Sequence, residues 1–310
     1  MTSKVVLATL LLLWTVVCRA LPAHAQMMPY KEFWLQSYSK LGRELINDEI
    51  LPAIRQSLSV SESAKTGNVR VVVPHSFNPY ETYATVEGDR PTVYISGFLI
   101  QMMFMSFEAY GLEEFFYRKH ERYYEYVDYM MRETRRNIDA MKTGSPTGPV
   151  ERYWDFIKVG MDDRKKLEGH PRFREFLSYS LIATRDALAF VVGHELGHIA
   201  HDHLQKAVSH DSDKRRAIER QADKFATKVL LAAKYHPMAA GPLFLMLGMF
   251  DQDPAGFSKS DLYDRPWCRA FLLGLEDYKA LLKQHGAASE QVKEMSQIAD
   301  IAKGSQCKNL

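Results

Sequence analysis

Between Phe173 and Leu204 the chain carries apolar residues on most sides of a helical projection, with Leu181, Ile182, Ala187, Leu188, Val191, Val192, Leu196 and Ile199 among them. A helix apolar nearly all round belongs in the middle of a domain, so the rest of the chain has to be arranged around this segment. Upstream, Tyr30 to Leu58 has helical spacing and an interruption near Pro52. Val69, Val71, Val72 and Val73 then lead to Pro74, and Thr82 to Val86 and Thr92 to Ile95 flank Gly88-Asp89, which reads as two short strands joined by a turn. Gln101 to Met141 is helical again and rich in aromatics, including Phe107, Tyr110, Phe115, Phe116, Tyr123, Tyr124, Tyr126 and Tyr129. Aromatics at that spacing are expected to pack as core rather than to bind. A polar break from Lys142 to Pro149 separates this stretch from Val150 to Lys166. No internal repeat or low-complexity tract is present.

The central segment also contains His194-Glu195-Leu196-Gly197-His198. Histidines four apart on a helix project from one face and can hold a single ion. Zinc held by three protein ligands keeps a fourth position for water, whose pKa it lowers to about 7. A carboxylate is needed beside it to take the water's proton and pass it to a leaving amine, and Glu195 is placed for that. Gly197 is expected to leave room beside the metal. The third ligand is supplied by Glu219, in a segment running to Ala226 that opens a second helix with Val229, Leu230 and Leu231 on its apolar side. Asp223, one turn after Glu219, is placed to accept a hydrogen bond from a ligating imidazole. His201, His203, His210, Asp211 and Asp213 follow the motif. They offer possible ligands for a second metal, but the primary site being complete, supporting or solvated roles are favoured for them, as for His75, His170 and His236.

On Val191-Val192-Gly193, the HELGH segment with Ile199-Ala200, and the pairing of Glu219 with Asp223, the chain resembles the gluzincin metallopeptidases, and within them the HtpX and CAAX-prenyl-protease family. The resemblance implies His194, His198 and Glu219 as ligands of one zinc ion and Glu195 as general base. It implies an α+β, mainly helical fold: a zincin-like core with a small sheet whose edge strand pairs with an extended polypeptide substrate. The hairpin from Thr82 to Ile95, with Ser96 to Leu99 after it, is similar to that strand region. The chain departs from the family in a helical insertion over about residues 101–172. It departs again in a short connection from His198 to Glu219, closer to IrrE-type peptidases. Tyr263-Asp264-Arg265-Pro266 stands where the family often carries a His-Pro pair, and Arg265 is read as a surface residue or an oxyanion stabiliser.

The N-terminus bears on compartment. Lys4, an apolar run from Val5 to Val17, and Ala23-His24-Ala25 form a signal-peptide pattern with cleavage after Ala25, leaving one domain over residues 26–310. The run is shorter than the roughly 20 residues of a membrane-spanning helix, so no permanent span is expected. Val17 before Cys18 argues against a lipid anchor. A periplasmic or secreted location follows. Cys268 and Cys307 then remain, as one disulfide or two thiols. A net charge of +2, without basic stretches interleaved with aromatics, makes nucleic acid an unexpected partner. The leading expectation is a metalloendopeptidase, and the resemblance implies unfolded or misassembled envelope proteins as its substrates. The alternatives are a zinc-containing scaffold or chaperone-like protein working through its aromatic helices, and an enzyme with a lid over its cleft.

Overall fold

The structure is a computed structural model. It describes residues 30–76, 78, 81–117, 120–145, 148, 150–205, 212–244, 246, 266–286, 292–293 and 296. It is mainly helical with one small sheet. The proposed signal peptide, Cys18, His210, Asp211, Tyr263 to Arg265 and Cys307 lie outside the described residues. Cys268 is buried and disulfide-bonded. The chain divides into two compact units.

The first unit comprises the described parts of Met1–Leu41, His75–Pro79 and Gly97–Leu181. Helix α1 (Tyr30–Glu44) contributes Leu35 and Tyr38 to its core. Its centre is α4 (Gly97–Leu112), buried on every side except at Tyr110. Helix α5 (Glu121–Thr143) shows why a helix with many charges still packs: Tyr123, Tyr126, Val127, Met130, Met131, Thr134, Asn137 and Ile138 form one buried stripe at helical spacing. The charges occupy the opposite face and pair along it, as Arg136 does with Glu133 and Lys142 with Asp139. The continuous helix expected from Gln101 to Met141 is in fact two. After α4 a π-helical turn, Glu113–Tyr117, intervenes; the turn itself holds no glycine or proline, and Gly111 just before it lies inside α4. Phe107, Tyr123 and Tyr126 pack in the core as expected of aromatics at helical spacing, whereas Tyr124 is exposed. α5 ends at Gly144, whose φ of 68° lets the chain reverse into the polar break. The segment after it forms two short helices, α6 (Tyr153–Phe156) and α7 (Met161–Glu168). Two buried carboxylates take hydrogen bonds from the start of α6: Glu108 from Arg152 and the Trp154 indole, and Glu113 at Oε1 from the Tyr153 hydroxyl.

The second unit comprises Gly42–Pro74, Tyr80–Ser96 and the described residues of Ile182–Leu310. The interruption expected near Pro52 is a π-helical turn, Leu45–Ile50, leading into α2 (Leu51–Gln56). Proline has no N–H to return to the carbonyl four residues back, so the preceding turn widens. Helix α3 (Val60–Thr66) starts with a capping box between Ser59 and Glu62. The sheet has the order β1-β3-β2: β1 (Arg70–Val72) parallel to β3 (Arg90–Tyr94), and β2 (Tyr83–Glu87) antiparallel to it. Val93 at its centre is fully buried. The two-residue turn between Glu87 and Arg90 requires the positive φ of Gly88, 61°. In this register Tyr83, Thr85 and Glu87 face β3 with their backbone groups, and Ala84 and Val86 turn theirs to the free edge.

Helix α8 (Phe173–Ala200) is the central element; its first turns, to Leu181, belong to the first unit and the remainder to the second. Its length and hydropathy alone would suit a membrane crossing, but 72% of its most apolar window is buried inside the protein. The helix bearing Glu219, α9 (Ser212–Ala232), starts about two turns earlier than the sequence suggested. Gly193 and Gly197 let it approach α8. A Cβ at Gly193 would lie 3.2 Å from the Ala226 Cα, and one at Gly197 2.9 Å from the Ala222 Cα. Gly197 therefore makes room for the partner helix backbone, and the expectation that it makes room for a metal is corrected. Helix α10 (Pro266–His285) completes the unit.

Candidate metal centre

His194 and His198 lie one turn apart on α8, and Glu219 comes across from α9 where the glycines allow close approach. The ring atoms His194 Nε2 and His198 Nε2 are 3.1 Å apart. Glu219 Oε2 is 3.1 Å from the first and 3.7 Å from the second. An ion held tetrahedrally by N and O ligands at about 2.0–2.1 Å separates neighbouring ligand atoms by about 3.3 Å, so three vertices of such a tetrahedron are in place. Glu219 Oε2 is buried and, apart from the two imidazole nitrogens it faces, has no hydrogen-bond partner among the described residues. An anionic oxygen in that condition is costly unless a cation stands beside it. Among the described residues, this trio is the group able to hold a metal ion.

Each histidine is oriented from behind. His194 Nδ1 lies 2.9 Å from Asp223 Oδ1. Asp223 is itself gripped by Arg269 from α10, Nε to Oδ2 at 2.8 Å and Nη2 to Oδ1 at 2.7 Å. The Arg269 guanidinium lies 4.2 Å over the Phe244 ring, whose other neighbour, Phe190, stands one turn before His194 on α8. On the other side, His198 Nδ1 lies 3.0 Å from His203 Nδ1. His203 Nε2 lies 3.0 Å from Gln221 Oε1.

The electrostatics are those of a cage that wants positive charge. Burial alone would lower the pKa of His194, but its contacts with Asp223 and Glu219 outweigh this and push it up to about 10. Burial would raise Asp223, yet the Arg269 charge and the His194 contact hold it at about 2. Glu219, against the same opposition from burial, is held well below the usual carboxylate range by the two histidines. In the metal-free chain a proton on His194 supplies the balancing charge, which a divalent cation would displace.

Glu195 is 7% exposed, and burial raises its pKa even though both histidines pull it down. Its carboxylate accepts the Ala84 N–H, one of the backbone groups that β2 turns outward. The end of α8 is also tied down: Lys65 from α3 donates to the Ala200 carbonyl at 3.0 Å and pairs with Asp202, where a φ of 56° ends the helical path.

The structure thus brings together His194, Glu195, His198, Glu219 and Asp223. His75, His170 and His236 are exposed, and Asp213 is exposed and paired with Arg216. His203, read from sequence only as supporting or solvated, is buried behind His198. Arg269, Gln221, Ala84 and Lys65 were not singled out from sequence. For Arg269 no periodicity or motif could have done so, since it reaches Asp223 across 46 positions.

Three converging ligand atoms, with the buried Glu195 carboxyl beside them, form a group that could hold a metal ion. A family model described as Peptidase U49 matches residues 179–245, which include His194, Glu195, His198, Glu219 and Asp223, and supports a peptidase. No curated protein and no solved structure matches the chain.

Proposed function

We propose that this chain is a zinc-dependent metalloendopeptidase, with His194, His198 and Glu219 holding one zinc ion and Glu195 as general base. The observation that carries the reading is the 3.1–3.7 Å triangle of ligand atoms with the buried Glu195 carboxyl next in sequence. Zinc bound there would supply Lewis acidity toward a peptide carbonyl and a water acidic enough to lose its proton near neutral pH. Glu195 takes that proton and returns it to the departing amine. Its raised pKa suits both directions of transfer, and the Ala84 N–H holds the carboxyl in place. The free edge of β2 runs beside Glu195, and the Val86 N–H and C=O on that edge have the geometry to pair with an extended polypeptide.

The finer assignment follows the sequence resemblance: a gluzincin with a zincin-like core, similar to the HtpX and CAAX-prenyl-protease family. It is exported through the N-terminal signal and acts in the periplasm or outside the cell on unfolded or misassembled proteins. The test is zinc content and casein hydrolysis of wild type beside Glu195→Gln. Both proteins should hold one zinc, and the variant should lose activity by about 10²–10⁴-fold or more. Retained turnover in Glu195→Gln would remove Glu195 from the reaction. Zinc in both with cleavage by neither would favour the scaffold reading.

A further inference from the structure

We propose that His203 is a positioning residue for His198, and that Gln221 decides which of its nitrogens His203 offers. The inference rests on the reading of His194, His198 and Glu219 as metal ligands.

His198 and His203 face each other through their Nδ1 atoms at 3.0 Å, so one must donate and the other accept. His203 Nε2 faces Gln221 Oε1 at 3.0 Å, and an amide oxygen only accepts. His203 therefore carries its proton on Nε2 and presents a lone pair at Nδ1. His198 is then the donor at Nδ1, and its Nε2 is left as a lone pair facing His194 and Glu219. The amide orientation matters: Gln221 Nε2 lies 3.1 Å from His201 Nδ1 and donates to it in the His201 tautomer protonated at Nε2. With the amide reversed, His203 would donate from Nδ1 and His198 would have to carry its proton on Nε2, inside the cage, where it could not ligate.

The fold builds this arrangement at the end of α8. His203 is not on the helical face of His194 and His198. The chain leaves the helix after Ala200, turns at Asp202 with φ 56°, and the short 3-10 turn His203–Gln205 swings His203 back beneath His198. There it is 6% exposed, its ring 5.1 Å from that of His198 and inclined at 67°. The two histidines of the motif are thus oriented by different chemistry: His194 by a carboxylate clamped by arginine, His198 by a neutral imidazole clamped by an amide.

The test is zinc affinity of the purified full chain by chelator competition, together with the visible absorption of the cobalt-substituted protein. His203→Phe keeps the ring and removes the acceptor; it should weaken zinc binding about 10–100-fold and alter the cobalt spectrum. His203→Asn places an amide oxygen near the position of Nδ1 and should remain within about threefold of wild type. Equal affinity in His203→Phe and wild type, or an equal loss in both variants, would overturn the proposal. Should His203→Phe fail to fold, Gln221→Leu decides: weakened zinc binding supports the proposal and unchanged binding overturns it. A wild-type chain that binds neither zinc nor cobalt overturns the metal site itself, whereas tight binding by wild type and His203→Phe alike overturns only the role of His203.

Discussion

Replacing Arg269 by Leu removes the guanidinium that covers both oxygens of Asp223 and leaves a buried carboxylate with His194 as its remaining partner. The depression of Asp223 from 3.8 to about 2 amounts to about 2.5 kcal/mol of native-state stabilisation at about 1.4 kcal/mol per unit. Part of it comes from His194 and survives the substitution, which lowers the expected loss. The uncompensated burial of the remaining charge raises it toward the roughly 3–5 kcal/mol typical of a broken buried pair. The expectation is a loss of about 2–4 kcal/mol in urea unfolding of the metal-free protein at neutral pH, with an unchanged m-value. The sign with pH follows from the direction of the shift. A depressed carboxyl contributes stability that is present above pH 3.8 and is lost as pH falls toward about 2, so the difference between wild type and variant should shrink over that window. Zinc affinity should fall about 10–100-fold in parallel, because Asp223, no longer clamped by Arg269, holds the His194 ring less firmly. A variant as stable as wild type, or a difference that persists unchanged below pH 3, would refute the reasoning.

Gly197→Ala sets a methyl against the Ala222 backbone and should cost about 1–3 kcal/mol, read as a lower Tm, with weaker zinc binding as Glu219 is pushed back. Glu219→Ala should abolish stoichiometric zinc by metal analysis while keeping the far-UV helical signal; unchanged zinc would place the third ligand elsewhere. Zinc must displace the proton held by His194, whose pKa is pushed to about 10, so apparent affinity should rise about tenfold per pH unit between pH 6 and 8 in chelator competition. A flat profile would mean that His194 is already neutral in the metal-free chain.

Periodicity alone was sufficient for the elements that are long and amphipathic or uniformly apolar. α8 and α5 were legible because burial imposes a 3.6-residue repeat on any helix with a core face, and the β2–β3 hairpin because Gly88 can take a positive φ at no steric cost. The ligand histidines were legible for the same reason, since a spacing of four places both on one helix face. The π-helical break after Leu112 was not, because the turn itself holds no glycine or proline and a single glycine before it, Gly111, is tolerated inside a helix.

The other half of the site is a matter of tertiary structure. Glu219 was recognisable as a carboxylate on a helix, but its reach to His194 depends on the approach of α9 allowed at Gly193 and Gly197. Arg269 behind Asp223, Ala84 on Glu195 and Gln221 behind His203 are charges and hydrogen bonds across chain distance, and no repeat in the sequence encodes a partner on another element. The sequence by itself determined which residues could ligate and which helix would carry them. Only the packing of α9, α10 and β2 around that helix decided which nitrogen each histidine turns inward, because a tautomer is set by the group behind the ring.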